Sequence, residues 1–442
     1  MRSDFHFRFI AALVLSLAVL ALSCSVAAAQ GAWTGNQDFV SHFPLPLNSE
    51  QISNGWISLF DGRSLFGWRQ ESDVNWIVEE GAVVARSGSV GLLRTSVQFD
   101  DFEMRLEFQA TEQTNSGVFI RSSPKPLDPR RDCLEINIAP ADNPFPTGSI
   151  VGHHKSAVAV PVQTWNEMTI KADGPRVSVS VNGQQTIDFN IGETYLQRGY
   201  IGLQFNSGEV RFRKIVVRPL NLPPIIPLSA ANQNAWRVMP DTKGNFQVSG
   251  LYRSRQTAPG KTAESDSIES GKSDRDHLRV SGGRGQLETK STFGDFALSA
   301  HLRSNRTATN SGIFFRCIPN QMMNGYESQI DHQYENGDRS RPIDCGTGGI
   351  FARQVARFVN ADDRHWFAKT IIANGATFAI WVNGLQVVDW TDHRQPHANP
   401  RRGLRLEAGT ILIQGHDANT DLSIKSLSIR ELFPRKATQS AR

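Results

Sequence analysis

After residue 55 the chain alternates apolar and polar positions almost without interruption. Phe102, Met104, Leu106 and Phe108 are separated by Glu103, Arg105, Glu107 and Gln109, which predicts a strand with one buried face. Val177–Val181, Asn182-Gly183 and Gln184–Ile187 predict a hairpin, because Asn-Gly supplies the two positive φ angles of a type I′ turn. Phe378–Val382, Asn383-Gly384 and Leu385–Trp390 repeat it. No amphipathic helical pattern follows residue 30. Many short strands punctuated by turns predict an all-β chain, with an antiparallel jelly-roll sandwich in each half.

The halves repeat one another. Asp101-Phe102 leads through an alternating strand to Asn115-Ser116-Gly117, an apolar run and Arg121; Asp295-Phe296 leads in the same way to Asn310-Ser311-Gly312 and Arg316. Glu135 and Glu327, Thr147-Gly148 and Thr347-Gly348, Trp165 and Trp366, and the two Asn-Gly turns follow in the same order. Ordered matches with small drift indicate a tandem duplication. The first domain is placed at 55–219 and the second at 235–432, joined across 220–234 by a stiff segment that includes Pro223, Pro224 and Pro227. Residues 253–276, poor in large apolar side chains, are expected to form an exposed loop.

A chain of 442 residues with net charge +4 can hold two cores. No basic block interleaves with aromatic residues, which argues against nucleic acid as a partner. Arg2 and Arg8, the apolar stretch Phe9–Leu22 and Ala27-Ala28-Ala29 make residues 1–29 a secretory signal peptide rather than a lasting transmembrane span. The expected location is therefore periplasmic or extracellular. Ala21-Leu22-Ser23-Cys24 offers a competing lipoprotein signal. Cleavage after Ala29 leaves Cys133, Cys317 and Cys345; the last two either pair in an oxidising compartment or remain buried thiols.

Two clusters could carry chemistry. In Gly325-Tyr326-Glu327-Ser328-Gln329-Ile330-Asp331-His332, strand geometry puts Glu327, Gln329 and Asp331 on one face. Unpaired, such groups are costly in a dry core, so they suit either a wet concave face that grips a polar ligand or a solvated strand face. In Gln414-Gly415-His416-Asp417, His416 is a candidate base and Asp417 its orienting or hydroxyl-binding neighbour; the alternative is a polar turn. The first half keeps Glu135 but has Asn137 and Ala139 for Gln329 and Asp331, and no His in Leu203-Gln204-Phe205-Asn206-Ser207-Gly208. If His416 and Asp331 act chemically, the first copy is degenerate. Arg121 and Arg316 could hold a carboxylate or stabilise developing negative charge. Adjacent His153 and His154 would face opposite ways on a strand, which favours surface residues over a metal site.

On these residues each half resembles the 3-keto-disaccharide hydrolase domain family of concanavalin-like jelly rolls. The first carries it in Ser58-Leu59-Phe60-Asp61-Gly62, Gly67-Trp68, Asp101-Phe102-Glu103, Asn115-Ser116-Gly117-Val118-Phe119 and Gly202-Leu203-Gln204. The second carries it in Gly294-Asp295-Phe296, Asn310-Ser311-Gly312-Ile313-Phe314-Phe315-Arg316, Gly325-Tyr326-Glu327-Ser328-Gln329-Ile330, Thr347-Gly348-Gly349-Ile350-Phe351 and Gln414-Gly415-His416-Asp417. The first half lacks the Gly-Tyr before its Glu and the final His. The resemblance implies cleavage of glycosides oxidised at C3: removal of the acidified C2 proton, elimination at C1, then hydration. His416 or Glu327 would be the base, Arg316 or a divalent cation would support the enolate, and Gln329 and Asp331 would hold sugar hydroxyls, with Asn310, Asp417, Glu135 and Arg121 as further binding residues. Glu327, Asp331 and His416 offer hard ligands to a cation. The competing readings are a tandem carbohydrate-binding, lectin-like protein, which would gain avidity from two sites, and a structural envelope protein.

Overall fold

The computed structural model describes residues 45–161, 163–192, 196–226, 232, 234–249 and 277–433. The signal peptide, Cys24, Pro227 and the expected loop at 253–276 lie outside them. The regular secondary structure of the described residues is almost entirely β, in four antiparallel sheets. They form two lobes, each a β-sandwich of jelly-roll type. In the first, a five-stranded sheet runs Trp68–Gln70, Gly91–Thr95, Tyr200–Ser207, Asn115–Ser122, Leu134–Ile138. The second repeats this order with Trp236–Val238, Gly285–Thr289, Thr410–Gly415, Ser311–Cys317, Tyr326–Ile330. A larger sheet backs each one, built around Phe102–Ala110 and Phe296–Ser304 respectively.

The predicted alternation is realised in Phe102–Ala110, whose residues are buried at every second position. Asn182 and Asn383 take φ of 50° and 46°, followed by Gly183 at 76° and Gly384 at 77°, as type I′ turns require. No helix among the described residues is long and apolar enough to cross a membrane.

The lobes share one apolar core. Ala297, Ile372, Ala379, Trp381 and Leu432 of the second pack with the first-lobe cluster that holds Ile57, Phe60 and Phe102. The buried Trp381 indole donates to the Ser58 carbonyl at 2.9 Å, and the Gly384 carbonyl accepts from the Ser58 N–H. Ion pairs cross in both directions: Arg198 to Asp295 at 2.6 Å, Arg357 to Asp61 at 2.6 Å and Arg430 to Asp101 at 2.7 Å. The connecting segment is sewn to the second lobe rather than acting as a spacer: Pro223 accepts from Ile429 N–H, and Ile225 N–H donates to Leu427.

Candidate active site in the second lobe

Tyr326–Ile330 is an edge strand of the five-stranded sheet. Its Tyr326, Ser328 and Ile330 side chains belong to the inter-sheet side, where Tyr326 stacks on Phe315 and meets Phe378. Glu327 and Gln329 therefore point to the opposite face, directly across from Phe314 and Gly312. Gly312 leaves room there: a Cβ would sit 2.9 Å from the Glu327 carboxylate, which would have to shift. The expected wet surface is instead a covered cradle: Glu327, Gln329, Asp331 and Gln414 are each at least 96% buried. Met322 and Met323 pack over Phe314 and Leu412 on this side.

Each polar group has a defined place. Glu327 accepts from Arg401 at 2.8 Å; that guanidinium lies over the Phe314 and Phe351 rings. Burial pushes the Glu327 carboxyl up, against the lowering influence of Arg401 and His416. Asp331 is also raised, mainly by burial, despite accepting from Gln333. Gln329 donates to Asn310 at 3.0 Å and to Asp344 at 3.3 Å, leaving its buried Oε1 without a partner; the Oε1 of Gln414 is also orphaned. His416, half exposed, holds its Nδ1 2.9 Å from Asp417. Asp417 is in turn fixed by Asn419 and Thr420 N–H groups, and burial is more than offset so that it stays a low-pKa carboxylate. His416 is within electrostatic reach of both Glu327 and Asp331.

Behind the strand, Lys369 is fully buried and donates to the carbonyls of Ser328 and Gln329 and to the Ser328 hydroxyl. Burial lowers its pKa to about 7. It lies opposite Ala300, whereas the matching first-lobe pair is Met168 and Leu106. Thr347 steadies the same strand by accepting the Asp331 N–H and contacting His332 Nδ1.

The placing of the two arginines is corrected, and the alternatives left open for the cysteines and histidines are decided. Arg316 does not face the cradle: it is buried, pairs with Asp295 at 2.8 Å and donates to the carbonyls of Gly294, Gly375 and Arg405. Arg121 repeats this with Asp101, Asp100 and Gly174. Both arginines take φ of 49°, and the strand register shifts between Phe314 and Cys317; a left-handed residue turns the side chain out of the alternation. Cys317 and Cys345 are separate buried thiols, not a disulfide; burial raises Cys345 to about 12 and Cys317 well above the ordinary range. His153 and His154 both lie against Phe189, on a turn rather than a strand. Among the described residues no three His, Cys, Asp or Glu side chains converge as ligands. Glu327 is engaged by Arg401 and His416 by Asp417, so these donors do not form a ready cation site.

Arg401 and Asp344 are the residues that sequence reasoning missed. Arg401 rides on the connection 392–409, about twice as long as its first-lobe counterpart 191–199. That difference in repeat spacing was the available signal.

In the first lobe Glu135 occupies the place of Glu327, across from Phe119, and Asn137 faces Gly117. With no arginine against it among the described residues, burial pushes Glu135 up to about 7, against the lowering hydrogen bond from Gln204. A carboxyl raised from 4.5 to about 7 by folding stabilises fully below pH 4.5, and that stability is lost as pH rises through 7. Glu135→Gln is expected to remove a decline on the order of 3 kcal/mol from denaturant unfolding measured across this window. An unchanged slope would show Glu135 to be solvated.

The profile of the 3-keto-alpha-glucoside-1,2-lyase-like domain matches residues 55–218 and 234–430. The chain belongs to this family. It is similar to a 3-keto-disaccharide hydrolase of Bacteroides thetaiotaomicron, at 29% identity over 87 residues. That match spans 17% of this chain and 29% of the relative's length. Among solved structures, a Parabacteroides distasonis protein provisionally assigned as a glycosyl hydrolase is 20% identical, with 40% of this chain and 98% of that one covered and a TM-score of 0.36. The carbohydrate-binding module CBM66 of Bacillus subtilis is 16% identical, with 34% and 95% covered and a TM-score of 0.27.

Proposed function

We propose that the second lobe cleaves glycosides whose sugar carries a ketone at C3. The observation that carries this reading is the placing of the His416–Asp417 dyad within electrostatic reach of the Glu327–Arg401 pair, beside the orphaned amide oxygens of Gln329 and Gln414. The two amides and Asp331 accept sugar hydroxyls. A C3 ketone acidifies the C2 hydrogen, which His416, oriented through Nδ1 by Asp417, removes at Nε2. The C–H electrons form the enolate, and Arg401 takes the role assigned from sequence to Arg316, offsetting negative charge on the C3 oxygen. When the enolate collapses, a C1–C2 double bond forms and the C1–O bond breaks. Glu327, its pKa raised by burial, hands its proton to the departing oxygen. Water then adds at C1 and a proton returns to C2, giving net hydrolysis.

The test is release of aglycone from a 3-keto-glucoside by the purified chain, with and without chelator. His416→Ala is expected to lower turnover by about 10²–10⁴-fold, the usual contribution of a positioned base, without loss of fold. Wild-type turnover by a folded His416→Ala protein sinks the assignment. Loss of the native chain's turnover on chelation would add a cation that this donor set does not hold in place.

A further inference from the structure

The first lobe preserves the second lobe's most unusual feature. Gln204 and Asn137 face Gly117 from the two neighbouring strands, so both side chains share a face with the empty Cβ position between them. Ser116 Oγ donates to the Gln204 carbonyl as Ser311 Oγ does to that of Gln414, which fixes the correspondence. Gln204 and Asn137 are more than nine-tenths buried, yet Gln204 Oε1 and Asn137 Oδ1 have no hydrogen-bond partner, just like Gln414 Oε1 and Gln329 Oε1. The amide orientation is set by chemistry: Asn137 Nδ2 donates to the Phe145 carbonyl, and Gln204 donates to the Glu135 carboxyl. Four orphaned acceptors at matching places in two lobes are hard to reconcile with packing alone, because each unmade bond costs about 1–3 kcal/mol.

Such a pair of acceptors is satisfied by a ligand that brings hydroxyl donors. Leu92 and Phe119, across the strands from Gln204 and Glu135, form a buried apolar cluster with Cys133 suited to the C–H face of a sugar ring, and among the described residues no cation pairs with Glu135, which favours a neutral ligand. The reactive groups are missing: Ala139 stands for Asp331 and Asn206 for His416, and the connection corresponding to that of Arg401 is short. We propose that the first lobe is a non-catalytic binding site for an unoxidised neutral pyranose, whose hydroxyls donate to Asn137 and Gln204. This site does not depend on the reaction assigned to the second lobe, because its test reads binding alone.

The test is saturation-transfer NMR of methyl β-glucoside with the full chain carrying Gly312→Ala, whose methyl crowds Glu327 in the second cradle. The sugar signal is expected to persist. It should fall at least tenfold when Gly117→Ala is added, since that Cβ would lie 3.2 Å from Glu135 Cγ. Gln204→Met, which keeps the length of the side chain and removes its carbonyl, should weaken it similarly and covers a failure of Gly117→Ala to fold. If Gly312→Ala itself does not fold, a crystal of the native chain soaked with the sugar must show it in the first lobe and lose it there in Gln204→Met. No signal from folded Gly312→Ala, or a signal indifferent to both first-lobe substitutions, overturns the proposal.

Discussion

Glu327→Gln is expected to lower turnover of a 3-keto-glucoside by about 10²–10⁴-fold while leaving the fold intact. The amide keeps the shape of the carboxyl and can still accept from Arg401, so the loss isolates the proton that Glu327 gives to the leaving oxygen. pH dependence makes the assignment sharper. Burial raises this carboxyl, and Arg401 pulls it back down. An acid must be protonated to act, so activity falls as pH rises through the raised pKa. Arg401→Gln removes the lowering influence and must move this alkaline limb to higher pH, besides weakening support of the enolate. A limb that stays in place, or moves down, shows that a different group supplies the proton. Equal turnover by Glu327→Gln and the native chain excludes Glu327 altogether.

Arg316→Met is expected to act in the opposite way, through stability. The guanidinium pairs with Asp295 and serves three carbonyls in a buried setting. Removing one partner of a buried ion pair costs about 3–5 kcal/mol, read as a fall in the denaturant midpoint. Asp295 retains Arg198 and the Gly375 N–H, which argues for the lower end of that range. The folded fraction should turn substrate over as the native chain does. A fall in turnover with unchanged stability would return Arg316 to the chemistry.

The sandwich was legible because burial on one face of a strand writes itself into every second residue. The same rule put Glu327 and Gln329 on one face, opposite Ser328 with its contact to Lys369. It failed at Arg316, where alternation from Phe314 points towards the cradle but a left-handed residue breaks the count. Such a kink leaves no mark when the residue is not glycine. Arg401 and Asp344 lie in irregular connections, where period carries no information and only three-dimensional closure brings the side chain home. Lys369 sits in a largely buried strand with its amine capped by carbonyls. Sequence shows the charge but not the backbone oxygens that receive it.

A duplicated gene segment can be discarded cheaply only if the survivor keeps a closed core, and here the core is common to both copies. Freed of its neighbour, the second lobe would present Trp381 to water and strand Arg357 and Asp389, whose counterions Asp61 and Arg69 belong to the first. A first copy without counterparts of His416 and Asp331 is therefore shielded from deletion by its role as the other's wall, whatever chemistry it carries. Selection on either half preserves the other as well.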